Sequence, residues 1–369
     1  MNILITGYRG FIGSNLVAEL ENRGYSNLLL FDLDTDVELL DHYCEVADMV
    51  FHLAGVNRPE NTSEFWEGNY GFTSTLLHKL KEFENKCPIV LSSSIHAGQD
   101  NPYGQSKKAG EDLLLSYGEE TGAKIMIYRF PNVFGKWSRP NYNSAIATFC
   151  YNIARELPVT LHDPEAVLEL IYIDDLVQEL VQVLENKAER QGGFAIVPNV
   201  HTIHLAKIVT LLRGFSEIRK TLSVPDLSDP FVKNLFSTFI SFLPQEAFCY
   251  DLEMRTDHRG SFTEFLKTPD RGQLSINISK PGITKGNHWH HSKVEKFLVV
   301  SGEGVVRFRK IGSSDFFEVP VSDRHLQVVD IPPGYTHHIE NTGDQDMVTI
   351  IWVNEPFDPA HADTYYLEV

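Results

Sequence analysis

Between Gly282 and Gly302 the chain reads Gly282, five residues, His288, Trp289, His290, four residues, Glu295, six residues, Gly302. No other stretch restricts the fold as tightly. In a β-rich setting His288 and His290, two apart, project from the same face of one strand. Glu295 then arrives on the next strand after a short turn. A fourth polar partner follows in Pro332-Pro333-Gly334-Tyr335-Thr336-His337, with Asn341 after three more residues. There a Pro/Gly turn precedes a strand that can return His337 to the first pair. Three imidazoles and one carboxylate are a ligand set for a divalent ion such as Zn, Fe, Ni or Mn, with Zn the expected occupant.

These two stretches resemble the metal motifs of the cupin superfamily, G-x5-H-x-H-x3,4-E-x6-G and G-x5-P-x-G-x2-H-x3-N. The first matches at every position. The second departs once, at Leu326, where its leading glycine would stand. The departure touches a turn and no ligand. The resemblance implies an all-β double-stranded barrel with His288, His290, Glu295 and His337 on one metal.

At 369 residues the chain is too long for one ordinary domain and suits two, each able to bury a core. Thirty-two Lys and Arg against fifty Asp and Glu give a net charge of −18. That balance argues against a nucleic-acid partner, which needs clustered basic residues. It leaves room for a nucleotide-sized anion held by a few arginines and helix N-termini. Cys44, Cys87, Cys150 and Cys249 show neither a CxxC nor a paired spacing, which fits a reducing cytoplasm. The first residues lack a signal-peptide pattern, and no apolar run approaches the roughly 18 to 20 residues of a membrane span.

At the N-terminus, Asn2 to Thr6 is an apolar run that ends in Gly7-Tyr8-Arg9-Gly10-Phe11-Ile12-Gly13, followed by helical spacing from Ser14 to Glu21. Strand, glycine-rich turn and helix in this order can hold a pyrophosphate against a positive helix N-terminus. A second strand, Leu28 to Phe31, ends at Asp32, an acidic residue where a ribose would be gripped in favour of NAD. Arg9 argues the other way, because a guanidinium in the turn can pair with a 2′-phosphate. NADP(H) is the expected cofactor. The pattern resembles the extended short-chain dehydrogenase/reductase family, whose fold is a Rossmann-type doubly wound parallel sheet. The resemblance extends to Asp48 through Gly55, where Leu53 and Ala54 would pack on the adenine-ribose.

The chemistry of this half lies from Ile89 to Lys107. A short strand runs into Ser92-Ser93-Ser94, and Tyr103 and Lys107 share one face of the next helix. A phenol can exchange a proton with a carbonyl, and a nearby ammonium favours its ionised form. Tyr103 is the expected general acid, Lys107 its electrostatic partner and ribose ligand, and Ser94 the donor to the substrate oxygen. Ser93 remains the alternative to Ser94. Arg129 to Gly135 and Ile173 to Val177 resemble further segments of the same family, and Arg139 is either a diphosphate contact or a solvated residue.

The expected boundary is near Pro244, with a reductase domain over 1–243 and a metal-binding barrel over 244–369. The helical spacing of Leu235, Phe236, Phe239 and Phe242 suggests that the linker is structured. Asp257-His258-Arg259-Gly260-Ser261-Phe262-Thr263-Glu264 resembles a segment of the deoxysugar epimerases, and Lys285-Gly286-Asn287-His288 sits where those enzymes carry a base. His288 is therefore either base or ligand, with Lys285 beside it.

The whole chain resembles a family of capsular polysaccharide enzymes in which such a reductase is fused to a cupin. The resemblance implies C3 epimerisation of a UDP-2-acetamido-2,6-dideoxy-4-hexulose in the barrel. Reduction of the C4 ketone with NADPH would follow, on the way to UDP-N-acetyl-L-fucosamine, in a homodimer. Two rivals stand beside this: a single-function NAD(P)H-dependent 4-keto-sugar-nucleotide reductase with the barrel as a sugar-binding or dimerisation module, and an iron oxygenase in the barrel.

Overall fold

The apolar run after Asn2 forms β1 (Ile3–Thr6), with all four residues buried. In chain order follow α1 (Phe11–Asn22), β2 (Leu28–Phe31), α2 (Glu38–Val46), β3 (Met49–His52) and α3 (Ser63–Trp66), then a π-helical turn over Glu67–Gly71. After it come α4 (Phe72–Glu82), β4 (Ile89–Ser94), α5 (Pro102–Thr121) and β5 (Ile125–Phe130). The five strands are parallel, in the order β2-β1-β3-β4-β5. Alternation within the strands explains the layers. Ile3 and Ile5 join Leu16 and Leu20 of α1 on one face, whereas Leu4 joins Leu40, Leu76 and Leu114 from α2, α4 and α5 on the other. Two apolar faces on one parallel sheet make a doubly wound Rossmann-type α/β fold.

This computed structural model describes residues 1–161, 163–191 and 194–369. Beyond β5 lie β6 (Asn132–Phe134), α6 (Ala145–Ile153), β7 (Val167–Tyr172), α7 (Ile173–Leu184), β8 (Arg190–Gln191), β9 (Phe194–Ala195) and β10 (His201–His204). α7 adds Leu176 and Leu180 to the core beside α1. His201 to His204 pair antiparallel with β7 before α8 (Leu205–Thr221) starts. The Leu235/Phe239 stripe lies on α9 (Pro230–Ser241), and both of those side chains are buried. Contacts divide the chain into Met1–Leu212 with Asn234–Leu243, and Arg213–Lys233 with Pro244–Val369.

The second unit is all antiparallel: β11 (Met254–Asp257), β12 (Gly260–Thr268), β13 (Gly272–Ser279), β14 (Thr284–Trp289), β15 (Glu295–Ser301), β16 (Glu303–Lys310), β17 (Phe316–Ser322), β18 (Val328–Ile331), β19 (Tyr335–Asn341), β20 (Met347–Val353) and β21 (Tyr365–Tyr366). They form sheets of order β11-β12-β13-β20-β15-β18 and β17-β16-β19-β14-β21. Phe297, Ile331 and Ile351 from the first sheet meet Val306, Phe308 and Ile339 from the second in one core, a cupin-type double-stranded barrel. Leu222 to Val224 extend the first sheet, with bonds of 2.8 and 2.7 Å to the Lys267 backbone in β12. Among the described residues no helix is long and apolar enough to cross a membrane.

Candidate functional sites

In the α/β unit the strand order turns between β1 and β3, and a crevice at such a point is where open α/β sheets bind ligands. A cavity of about 570 Å³ lies in the barrel, and one of about 710 Å³ sits in this crevice. The crevice is lined by Gly7, Arg9, Gly10, Phe11, Ile12 and Gly13, and on other sides by Leu53, Ser94, Tyr103 and Lys107. Two glycines are demanded by close approach. A Cβ on Gly7 would stand 2.7 Å from Cα and N of Ala54, and one on Gly13 would stand 2.3 Å from the Gly7 carbonyl oxygen. The turn, α1 and the end of β3 therefore touch through backbone. Asp32 accepts from the Arg9 backbone N–H at 2.9 Å and from that of Leu33 at 2.8 Å. The exposed Arg9 guanidinium lies against Asp34 and the Tyr8 hydroxyl.

α5 begins where the sequence suggests: Asn101 caps it by accepting from the Gly104 N–H at 2.8 Å, and Pro102 occupies the first turn. The first turns of the helix then carry Tyr103 and Lys107 into the crevice. Burial pushes the Tyr103 phenol up, and a hydrogen bond with Ser94 opposes that. Burial lowers the Lys107 ammonium to about 8, against the nearby Glu111 charge, and its Nζ donates to the Ser92 carbonyl at 3.3 Å. The two serines have separate surroundings. Ser93 donates to Glu111 at 2.6 Å, and Glu111 holds Arg129 by bonds of 2.8 and 2.6 Å. Ser94 accepts from the His96 N–H at 3.1 Å and meets Tyr103. Arg139 lines the crevice and lies over the Tyr142 ring.

Sequence reasoning passed over two supports of this crevice. Asn69, in the π-helical turn, bonds the Val56 backbone through both side-chain atoms at 2.9 Å and Ser106 at 3.0 Å, bracing the loop after β3 against α5. His52 is enclosed between the hydroxyls of Thr6 at 2.7 Å and Thr73 at 2.8 Å, with its pKa lowered to about 3 by burial and then by the Lys107 charge. Neither lies in a spaced motif.

In the barrel, His288 stands opposite His337 in the β14/β19 ladder, and their rings are 4.6 Å apart. The period-two expectation for His288 and His290 is modified: β14 ends at Trp289, a register shift falls between Gly286 and His288, and Asn287 adopts φ of 59°. His290 lies just past the strand, yet its ring centroid is 4.9 Å from that of His288. Glu295 opens the next strand in sequence, and that strand belongs to the facing sheet. The site thus bridges two sheets. One potential ligand atom from each of His288, His290, Glu295 and His337 lies within 4.8 Å of the others. Glu295 Oε2 is 3.1 Å from His337 Nε2 and 3.4 Å from His290 Nε2.

The surroundings fit a divalent ion. His290 Nε2 and His337 Nδ1 are buried without a hydrogen-bond partner, which is costly unless something is coordinated there. The His290 Nδ1 faces the Asp363 carbonyl, which can only accept, so that nitrogen carries the proton and Nε2 keeps its lone pair. Burial, then the neighbouring His337 and His290, lower His288 to about 4, so it is neutral at physiological pH. The cavity wall includes His288, His290, Glu295, Lys285, Asp257 and Arg259. Lys285 Nζ donates to the Ile278 carbonyl at 2.8 Å and Asn277 Oδ1 at 2.9 Å, and burial lowers its pKa. Leu326 is absent from the positive-φ residues, so a side chain is tolerated where the motif has glycine.

Residues 3–197 match the NAD dependent epimerase/dehydratase family, and residues 255–365 match the polysaccharide biosynthesis C-terminal domain. A UDP-2-acetamido-2,6-beta-L-arabino-hexul-4-ose reductase of Pseudomonas aeruginosa is 42% identical over 100% of this chain and 99% of its own length. The crystal structure of the capsular polysaccharide assembling protein CapF from Staphylococcus aureus superposes with a TM-score of 0.95, at 53% identity and full coverage of both chains. A structure of CapF with the inhibitor 3-isopropenyl-tropolone matches with a TM-score of 0.90, at 48% identity and full coverage of both chains. With a nicotinamide-type crevice built on its parallel sheet and relatives aligned along its whole length, this chain belongs to the NAD dependent epimerase/dehydratase family, in the two-domain form that CapF shares.

Proposed function

We propose that the protein is a bifunctional nucleotide-sugar enzyme. Residues 244–369 epimerise C3 of a UDP-2-acetamido-2,6-dideoxy-4-hexulose, and residues 1–243 reduce its C4 ketone with NADPH, towards UDP-N-acetyl-L-fucosamine for a capsular polysaccharide. The observation that carries this reading is the barrel cavity of about 570 Å³, walled by ionisable groups and a buried four-residue ligand cluster. A module for assembly alone has no use for such an interior. The relative from P. aeruginosa is named for reduction of a 4-ketose of L-arabino configuration, which supports reduction as the second of two steps.

In the barrel, the C4 carbonyl of the substrate acidifies the C3 proton, so a neutral base beside it can remove that proton and an acid can return one to the opposite face. His290, Glu295 and His337 would hold a Zn ion, with His288 either its fourth ligand or the base, and the ion would supply Lewis-acid stabilisation to the oxygen that gains charge. As the base rather than a ligand, His288, neutral at physiological pH, can accept a proton. Lys285, whose ammonium is already aimed at oxygen acceptors, can donate one. In the crevice, the turn from Gly7 to Gly13 and Lys107 would hold NADPH, which would supply the hydride to C4. The Tyr103 hydroxyl gives its proton to the C4 oxygen, Ser94 orients that oxygen, and the Lys107 ammonium favours the tyrosinate that remains. The Ser93 hydroxyl is committed to Glu111, which supports Ser94 for this role. An exposed Arg9 beside the turn supports a 2′-phosphate, and with it NADPH.

The test is proton NMR of the 4-keto substrate in D2O with the full-length protein and no NADPH. Deuterium at C3, lost in His288→Gln and Lys285→Met variants, upholds the epimerase. No exchange, with NADPH oxidation intact, reduces the protein to a reductase with a binding or dimerisation module. Metal content of the His288→Gln protein separates that residue's roles: exchange lost with metal retained makes it the base, and both lost makes it a ligand. Oxygen uptake with an iron-loaded protein would instead uphold the oxygenase. Light scattering of the eluted protein tests the homodimer.

A further inference from the structure

Asp363 lies more than seventy residues beyond the histidine pair and reaches it twice. Its backbone carbonyl accepts from His290 Nδ1. Its carboxylate accepts from three consecutive backbone N–H groups, His291 at 2.9 Å, Ser292 at 2.8 Å and Lys293 at 3.0 Å, and from the Ser292 hydroxyl at 3.1 Å. Those amides form the turn joining His290 to Glu295, two of the four clustered side chains. The segment after Asp363 continues the grip: Tyr365 and Tyr366 pair with Trp289 and His288, and the Leu367 N–H donates to the Asn287 carbonyl at 3.0 Å. None of these bonds spans a recognisable motif.

We propose that Asp363 is a positioning residue for the metal centre, presetting the His290 tautomer through its carbonyl and the His290–Glu295 turn through its carboxylate. The proposal rests on the metal reading above. The carbonyl forces the proton onto Nδ1 and frees Nε2 to coordinate. The carboxylate satisfies three amides that would otherwise leave the turn open to water and to other conformations. A chain that must order this turn on binding gives up part of its affinity to conformational entropy, and one already ordered does not. Ligand-orienting groups of this kind typically change metal affinity by about 10- to 100-fold when removed.

The experiment titrates Co²⁺ into the metal-free full-length protein against a chelating indicator and follows the visible absorption of the bound ion. Wild type, Asp363→Ala and Asp363→Asn are compared, with hydrogen exchange of the His291, Ser292 and Lys293 amides read in each. The expected result is about 10- to 100-fold weaker Co²⁺ binding for Asp363→Ala, an intermediate loss for Asp363→Asn, and faster exchange at those three amides. NADPH binding should be unchanged, which reports a folded first unit. Wild-type affinity in both variants would overturn the proposal while leaving the metal reading intact. Absence of Co²⁺ binding in the wild type would overturn the metal reading and this proposal together. If Asp363→Ala fails to fold, the Asp363→Asn comparison decides alone, since asparagine keeps one acceptor oxygen and the side-chain volume.

Discussion

The crevice and the barrel assemble their chemistry in opposite ways. In the crevice, Gly7 to Gly13 form one turn and Ser94 to Lys107 one strand-to-helix passage, and a parallel sheet sets the two side by side at its carboxyl edge. The barrel draws four side chains from three strands on two facing sheets and the turn after β14, and braces them from Asp363. A site of the first kind is specified locally and tolerates change elsewhere. The second kind depends on how sheets face each other, so its weak points lie far from the ligands in sequence.

The largest expected effect isolates the crevice. Tyr103→Phe keeps the ring and removes the proton donor, so NADPH oxidation with the keto sugar should fall by about 10²- to 10⁴-fold, while deuterium exchange at C3 stays at the wild-type rate. Loss of both activities would mean that the two sites are not separable. The converse is His337→Ala, whose ring is fully buried in the cluster. It should abolish metal retention by elemental analysis and reduce C3 exchange by at least about 10²-fold, with the Kd for NADPH unchanged.

Gly13→Ala probes how tightly the crevice is packed. Its methyl would meet the Gly7 carbonyl at 2.3 Å, so the turn must shift, at about 1 to 3 kcal/mol of stability and with weaker NADPH binding by fluorescence titration. A more gradual contrast comes from pH. His52 has a folded pKa of about 3 against 6.5 when free, so between those values the unfolded chain binds the extra proton. Stability of the α/β unit should be fully present above pH 6.5 and be lost progressively as pH falls towards 3, by on the order of a few kcal/mol. Denaturant midpoints should show a shallower slope in His52→Gln. The smallest effect is expected for Leu326→Gly: that backbone needs no positive φ, so metal affinity should not change measurably.

Much of the α/β half was legible because its signals are contiguous. The apolar run of β1, the glycine spacing and the Tyr103/Lys107 pair each act over a few residues, and backbone geometry there follows from local sterics. The choice between Ser93 and Ser94 was not legible. It depends on Glu111, one turn beyond Lys107 on α5, which occupies the Ser93 hydroxyl. In the barrel the four clustered residues could be read from spacing, whereas the irregularity at Asn287 and the facing position of β15 could not. Period-two reasoning assumes an unbroken strand, and the shift before His288 breaks it.

By itself, then, the sequence determined the two fold classes and named the four clustered residues, because hydrophobic period, glycine spacing and ligand type are properties of neighbouring residues. Only the tertiary structure decided which imidazole nitrogen is free, which serine faces Tyr103, and that Asp363 holds the turn between His290 and Glu295. Those outcomes depend on hydrogen bonds that reach beyond any local motif, from eighteen positions between Ser93 and Glu111 to seventy-three between His290 and Asp363, and a donor finds its acceptor only once the chain has folded around it.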